Sequence, residues 1–207
     1  MKGKAPMNRY EKRSMANYDR IADGYDDSPE GRFTLKYNMR LRGEVEVPDG
    51  GRLLDVACGS GRFLKMLAAE RSFQGYGVDI SGKMIESAAR LNPNMVFRRA
   101  PCDGLPFDGN YFDAVTVCAA YHHFPDPAAF AREAFRVLKS GGRLYVAEIH
   151  CTALVRALFN PFLLFSPAGD VRFYAPEEIS ALFQSAGFSA CTIKTQGSVQ
   201  IVSGLKG

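Results

Sequence analysis

The chain has 207 residues, 46% hydrophobic and 23% charged, which suits one domain with a sizeable core. Its formal charge of +4 is uneven: residues 1–42 carry ten Lys/Arg against six Asp/Glu, and the rest balances at sixteen each. That is too little basicity for a nucleic-acid footprint. No apolar run reaches the roughly 18–20 residues of a membrane span, and the basic start over 1–13 lacks the apolar core of a secretory signal. A cytoplasmic location is therefore expected.

Residues 7–47 read as helical, with a break from Gly24 to Pro29, and form an N-terminal cap segment over 1–47. The main domain is expected over 48–207. Pro48-Asp49-Gly50-Gly51 turns into a first strand, 52–57, and a helix over about 61–71 places Phe63, Leu64, Leu67 and Ala68 on one face. A second strand spans 74–80, Ser81 caps a helix over 82–91, and a third strand spans 95–100. A loop with Pro101, Gly104, Pro106 and Gly109 leads to a fourth strand, 112–119. Asp126 caps the next helix, with Pro127 at its first position and its end near Lys139. Ser140-Gly141-Gly142 turns into a fifth strand, 143–149. An apolar segment occupies 151 to about 173, and a last helix runs from Pro176 to Gly187. Strands over 188–195 and 198–204 are joined at Gln196-Gly197, which favours an antiparallel hairpin. The alternation of strand and helix predicts a parallel sheet covered on both faces.

Leu53-Leu54-Asp55-Val56-Ala57-Cys58-Gly59-Ser60-Gly61 leads a strand into an acid and then a glycine turn. Glycine lets such a turn adopt positive φ and lets a ligand approach the backbone. The third glycine of a dinucleotide fingerprint is missing, since Leu64 stands there. Asp55 would also repel a pyrophosphate. A ligand with a cationic centre fits better, and S-adenosylmethionine carries a sulfonium and an ammonium. Asp79 ends the second strand, where a carboxylate accepts hydrogen bonds from ribose hydroxyls. The bland alternative is that both acids merely cap loops.

These residues resemble the class I S-adenosylmethionine-dependent methyltransferases, and most of all their small-molecule branch with the ubiquinone/menaquinone C-methyltransferases. Asp55 to Gly61 is similar to the first motif, with Ala57 where many members have glycine. Val78-Asp79-Ile80-Ser81 is similar to the ribose-binding motif. The segments Leu105 to Asp113, Arg136 to Gly142, Tyr174 to Glu178 and Ala186 to Phe188 extend the resemblance over about 15–195. It implies a Rossmann-like, doubly wound seven-stranded sheet of order 3-2-1-4-5-7-6, the last strand antiparallel. It implies S-adenosylmethionine as cofactor and S-adenosylhomocysteine as product. The expected cofactor-binding residues are Tyr25, Asp55, Ala57, Cys58, Gly59, Gly61, Asp79, Ile80, Met84, Cys102, Asp103 and Ala119. One departure concerns the adenine: relatives place an aspartate four residues before Leu105-Pro106-Phe107, and this chain has Pro101 there. Either Asp103 reaches the adenine from a shifted loop, or backbone near Cys102 binds it. Asn17 to Asp26 resembles an N-terminal helix that folds over the cofactor, with Tyr25 near the methionine part and Tyr18 near the substrate. Alternatively both tyrosines only pack that helix.

Methyl transfer is an in-line displacement from an activated donor, so the protein chiefly aligns the acceptor and excludes water. A base is needed only where the acceptor loses a proton. His123, and after it His122, are the candidate bases because their segment follows the fourth strand. Glu148 and His150 are further candidates on the substrate side. Cys58, Cys102, Cys118, Cys151 and Cys191 show no C-x-x-C spacing, so neither a disulfide framework nor a metal site is expected. The chain lacks the Asn/Asp-Pro-Pro-Tyr/Phe motif of amino-methylating enzymes of this fold. The expected partner is a small apolar or aromatic acceptor. A cofactor-binding protein without turnover, an RNA methyltransferase and a nicotinamide oxidoreductase are the alternatives. The apolar segment over 154–165 reads in three ways: a pocket lid or peripheral membrane contact, an internal packing helix, or a dimer interface. The chain is expected to be a monomer or homodimer.

Overall fold

The computed structural model describes residues 7–163 and 165–207. Residues 1–6 of the basic start and Leu164 of the apolar segment lie outside the described residues. Helices α1 (Arg9–Ile21) and α2 (Pro29–Arg42) flank a short 3-10 turn at Tyr25–Asp27. Then come β1 (Gly51–Val56), α3 (Arg62–Ala68), β2 (Phe73–Asp79), α4 (Gly82–Leu91), β3 (Val96–Arg99) and β4 (Phe112–Cys118). A 3-10 turn at Tyr121–His123 precedes α5 (Pro127–Val137) and β5 (Leu138–Ile149). The chain continues through α6 (Ala153–Leu163), α7 (Pro176–Ser185), β6 (Ser189–Gln196) and β7 (Val199–Leu205). The helix starts follow from capping: the Asn8 and Glu11 side chains close a reciprocal box at α1, and Asp126 accepts the Ala129 N–H at α5.

The seven strands form one sheet of order β3-β2-β1-β4-β5-β7-β6. β1 to β5 pair in parallel, and β7 runs antiparallel to both β5 and β6. Strand neighbours bury opposite faces. Leu54, Val115 and Val146 point to the layer holding Phe130 of α5 and Phe183 of α7. Leu53, Ala114 and Tyr145 point to the layer holding Tyr37 and Leu41 of α2 and Phe63, Leu64 and Leu67 of α3. Burial on both faces explains why these strands read as nearly continuous apolar runs.

Two expectations need correction. The fifth strand begins at Leu138 rather than 143, and the helix before it stops at Val137 rather than near Lys139. Leu138 pairs with Phe112 and Arg143 with Ala114, so the glycine turn is a bulge inside the strand opposite Asp113. The Asp113 carboxylate holds that bulge: it accepts Lys139 Nζ at 2.7 and 2.8 Å and the Arg52 N–H at 2.8 Å. The second correction concerns α6, which is not an internal packing helix. None of its described side chains is buried, and Leu154 and Phe162 are each 70% exposed. Among the described residues no helix is long and apolar enough to cross a membrane.

The glycine turn joins β1 to α3. Gly61 starts α3 at φ +76°, with Ala88 and Asn92 of the neighbouring α4 segment against it. A Cβ there would lie 2.7 Å from Asn92 Nδ2, whose amide donates to Gly61 O at 3.2 Å. Gly61→Ala is therefore expected to destabilise the fold by about 2–4 kcal/mol, from left-handed strain and overpacking together. Thermal or urea unfolding checks this, and an unchanged midpoint would contradict it.

Candidate functional site

A cavity with about 950 Å³ of empty space, part of it open to solvent, lies at the carboxyl ends of β1, β2 and β4. In an open α/β sheet the crevice forms where strand order reverses, here between β1 and β4. The backbone is bent there in an unusual way. Ala57 (φ 57°), Gly59 (φ 53°) and Ala119 (φ 51°) all adopt left-handed conformations and all line the cavity. Two alanines held in that region store strain of about 1–3 kcal/mol each, a pattern that concentrates at ligand sites. A Cβ on Gly59 would meet no atom within 4 Å, so this backbone faces open space inside the cavity.

Two buried acids stand at the strand ends. Asp79 is 8% exposed; its Oδ2 accepts the Gly59 N–H at 2.9 Å and its Oδ1 the Ser81 N–H at 2.8 Å. Burial outweighs these N–H bonds and pushes its carboxyl up to about 6. Asp55 is 2% exposed, and among the described residues its side chain accepts the Thr116 hydroxyl alone, at 2.8 Å. Burial pushes it up to about 7. Two acids that favour protonation in a cavity are under-compensated, and a cation would relieve both.

The N-terminal helices close the cavity from above. The Ser81 hydroxyl donates to Asp19 of α1 at 2.6 Å, and the Lys83 N–H donates to the same oxygen at 3.2 Å. The Ser60 hydroxyl donates to Asp26 at 2.7 Å. The Arg62 guanidinium donates to Asp26 O, Gly31 O and Thr34 Oγ1. Polar ties thus run from the cover to both ends of the donor cradle, the glycine turn and the start of α4. Tyr18 and Tyr25 meet edge to face, 6.1 Å apart, on the cavity wall.

The histidine pair divides its work. In the 3-10 turn the two rings lie tilted against each other, centroids 4.1 Å apart. His123 lines the cavity, with Nε2 3.0 Å from the Tyr18 hydroxyl. Burial, with His122 beside it, pushes His123 down to about 4, so its ring is neutral near pH 7. Burial pushes the Tyr18 phenol well above its ordinary value. His122 lies behind the cavity wall, with Nδ1 2.9 and 3.0 Å from the fully buried Glu148 carboxylate. Burial opposes charge on His122, but Glu148 and then Asp170 raise it overall. For Glu148 burial pulls upward, yet His122 and two backbone N–H groups hold it below its ordinary value.

The cavity gathers Tyr25, Asp55, Ala57, Cys58, Gly59, Asp79, Ile80, Met84, Cys102, Ala119 and His123 of the predicted residues. It does not gather Gly61, Asp103, His122, Glu148 or His150. Gly61 packs on α4, Asp103 is exposed beside the lining Pro101 and Cys102, and His150 faces Gln200 at 3.2 Å. None of the α6 side chains lines the cavity. Sequence reasoning missed Asp19, Asp26, Arg62 and Asp170. The first two lay in the recognised cover, but their hydroxyl partners, Ser60 and Ser81, are remote in sequence.

Fold and site define a doubly wound protein that holds a cationic, nucleoside-bearing ligand. The comparisons with known proteins agree. Residues 54–146 match the model of a methyltransferase domain. A ubiquinone/menaquinone biosynthesis C-methyltransferase of Agrobacterium fabrum is 33% identical over 185 residues, covering 75% of this chain and 71% of that protein. The 27-O-demethylrifamycin SV methyltransferase of Amycolatopsis mediterranei is 34% identical over 63% of this chain, which spans about half of that protein's length (51%). Among solved structures, phosphoethanolamine N-methyltransferase 2 of Haemonchus contortus, in complex with S-adenosyl-L-methionine, has a TM-score of 0.77 at 16% identity. That alignment covers 97% of this chain and 60% of that one and speaks for the fold alone. The chain belongs to the class I S-adenosylmethionine-dependent methyltransferases of the ubiquinone/menaquinone C-methyltransferase type. The donor set fits that cofactor: a buried acid at the end of β2, a second buried acid short of positive charge, and open left-handed backbone between them.

The raised acids give a pH signature. Asp55 ionises near 3.8 when unfolded and about 7 when folded, so the folded state holds the extra proton between those values. Apo stability should fall as pH rises through that window. Asp55→Asn removes the cost: at pH 8 the apo protein is expected to gain about 2 kcal/mol or more, with no gain at pH 3 and with weakened cofactor binding. Melting curves at the two pH values, with a calorimetric titration, check both halves. A variant less stable than wild type at pH 8 would contradict the assignment.

Proposed function

We propose that the chain transfers a methyl group to a small apolar or aromatic molecule with an ionisable hydroxyl, seated where Tyr18 and His123 face the cavity. The observation that carries this reading is the polarity of the cavity. Two acids stand at one end, and a neutral imidazole bonded to a phenol stands at the other. Relatives named for quinone and rifamycin methylation support an aromatic acceptor. Phe63, Phe124 and Met84 add apolar wall.

S-adenosylmethionine supplies an activated methyl group on a sulfonium. The chain's residues do the rest. Asp79 takes the ribose hydroxyls and Asp55 answers the positive charge. Ile80, Met84 and the loop at Cys102 hold the adenine end. Helices α1 and α2, within the cap segment 1–47, exclude water over the main domain 48–207, which favours a displacement with little solvent reorganisation. With its ring neutral and Nε2 unprotonated, His123 accepts the Tyr18 O–H. It can then take the acceptor's proton through that hydroxyl. The uncovered apolar face of α6 supports contact with a lipid phase in which a hydrophobic acceptor dissolves.

Three variants test the division of labour against a panel of hydroquinones and phenols. Asp79→Ala is expected to weaken cofactor binding by at least about 100-fold, the order of a lost buried charge-assisted contact. Tyr18→Phe and His123→Gln are expected to leave cofactor affinity within a few-fold and to lower kcat by roughly 10²–10⁴, the range of general base catalysis. Equal kcat in all three, or methyl transfer to none of the panel by cofactor-loaded wild type, would overturn the reading.

A further inference from the structure

We propose that His122, His123 and Asp170 form a binding site for a first-row divalent transition metal such as zinc, behind the wall of the cavity. Among the described residues these three side chains bring one ligand atom each to within 4.8 Å of one another. His122 Nε2 lies 3.5 Å from Asp170 Oδ1, and His123 Nδ1 lies 3.1 Å from the same oxygen. Zinc bound tetrahedrally at about 2.0–2.1 Å separates its donors by roughly 3.3 Å, so both spacings suit one ion shared by all three.

A second observation points to a ligand. The His123 side chain is 9% exposed, and its Nδ1 is buried without a hydrogen-bond partner. Asp170 Oδ1 lies 3.1 Å away without forming a hydrogen bond to it. A buried ring nitrogen without a hydrogen-bond partner costs stability unless a ligand engages it.

The outer contacts match what a metal site needs. Ligating histidines are oriented by a partner on the other ring nitrogen, and ligating carboxylates are themselves hydrogen-bonded. Glu148 holds His122 at Nδ1, 2.9 and 3.0 Å away. The Tyr18 hydroxyl holds His123 at Nε2, 3.0 Å away. The Ser166 hydroxyl donates to Asp170 Oδ2 and leaves Oδ1 toward the histidines. Each outer partner engages the atom that does not converge. The backbone fixes the loop as well: the Val171 N–H donates to His122 O at 2.8 Å. Two imidazoles and one carboxylate select a borderline ion over magnesium or calcium, which prefer all-oxygen sites.

Titration of the metal-stripped full chain with cobalt(II), followed by visible absorption, tests the site, with zinc competition as the second readout. The expected result is one cobalt per chain with the intense bands of a four-coordinate ion, displaced by zinc. Asp170→Asn and His122→Gln should each weaken binding at least tenfold while the protein still binds S-adenosylmethionine. Should either fail to fold, Ser166→Ala, which removes only an outer contact, should weaken cobalt binding about tenfold or more. No saturable cobalt binding below millimolar concentration would overturn the proposal. So would binding of equal strength in the folded variants, which would put the ion elsewhere. A metal on His123 Nδ1 leaves the proton on Nε2, which then donates to the Tyr18 oxygen and can no longer accept from it, so the loaded chain is expected to bind S-adenosylmethionine unchanged and to lose the base role that the metal-stripped chain keeps.

Discussion

Asp55 and Asp79 are carboxylates buried at the ends of adjacent parallel strands, and the rest of the site is arranged around them. A buried carboxylate is costly unless hydrogen bonds or a cation compensate it. Asp79 is partly compensated by the N–H groups of Gly59 and Ser81, which ties the glycine turn to the start of α4. Asp55 has the Thr116 hydroxyl and the field of Asp79, which works against it. The apo protein therefore carries a local deficit of positive charge. On the proposed reading a ligand with a sulfonium and an ammonium removes that deficit, and affinity comes from the same burial that costs stability.

The fold supplies the position. Helices leave β1 and β4 toward opposite faces of the sheet, and a crevice opens between the two strand ends. Left-handed backbone at Ala57, Gly59 and Ala119 shapes that crevice without filling it. The cover is held by polar ties to the cradle, from Asp19 to Ser81 and from Asp26 to Ser60 and Arg62. Tyr37, Leu41 and Val45 add a buried apolar contact that packs the cover against the core of the domain. At the far end Glu148, His122, Asp170, His123 and Tyr18 form a continuous polar string from the sheet interior to the cavity wall.

Much of this was legible from residues alone. Asp55 and Asp79 announce themselves because an acid closing an apolar strand before a turn has few structural reasons to be there. The alternation of strand and helix makes the parallel sheet legible, and the resemblance supplies its strand order. The two glycines looked equivalent in sequence, yet Gly59 faces the cavity and Gly61 faces α4. That difference depends on packing between helices remote in sequence. His122 and His123 are neighbours whose rings stay 4.1 Å apart, yet His123 lines the cavity and His122 does not. Asp170 was invisible because a loop after α6 folds back on the histidine turn, and no spacing rule encodes that return. Of the two readings of the adenine loop, Asp103 or backbone near Cys102, the second has its residues on the cavity wall, where Pro101 and Cys102 stand and Asp103 does not. The bulge in β5 was hidden by its glycines, which mark a turn as readily inside a strand as before one.

The most direct measurement is a calorimetric titration of the folded, cofactor-free chain with S-adenosylmethionine at pH 6.5, in two buffers of different ionisation enthalpy. One saturable site per chain is expected, with net release of protons as Asp55 and Asp79 ionise against the bound cation. No binding by protein shown to be folded, or binding with net proton uptake, would contradict the claim that two buried acids hold the cofactor.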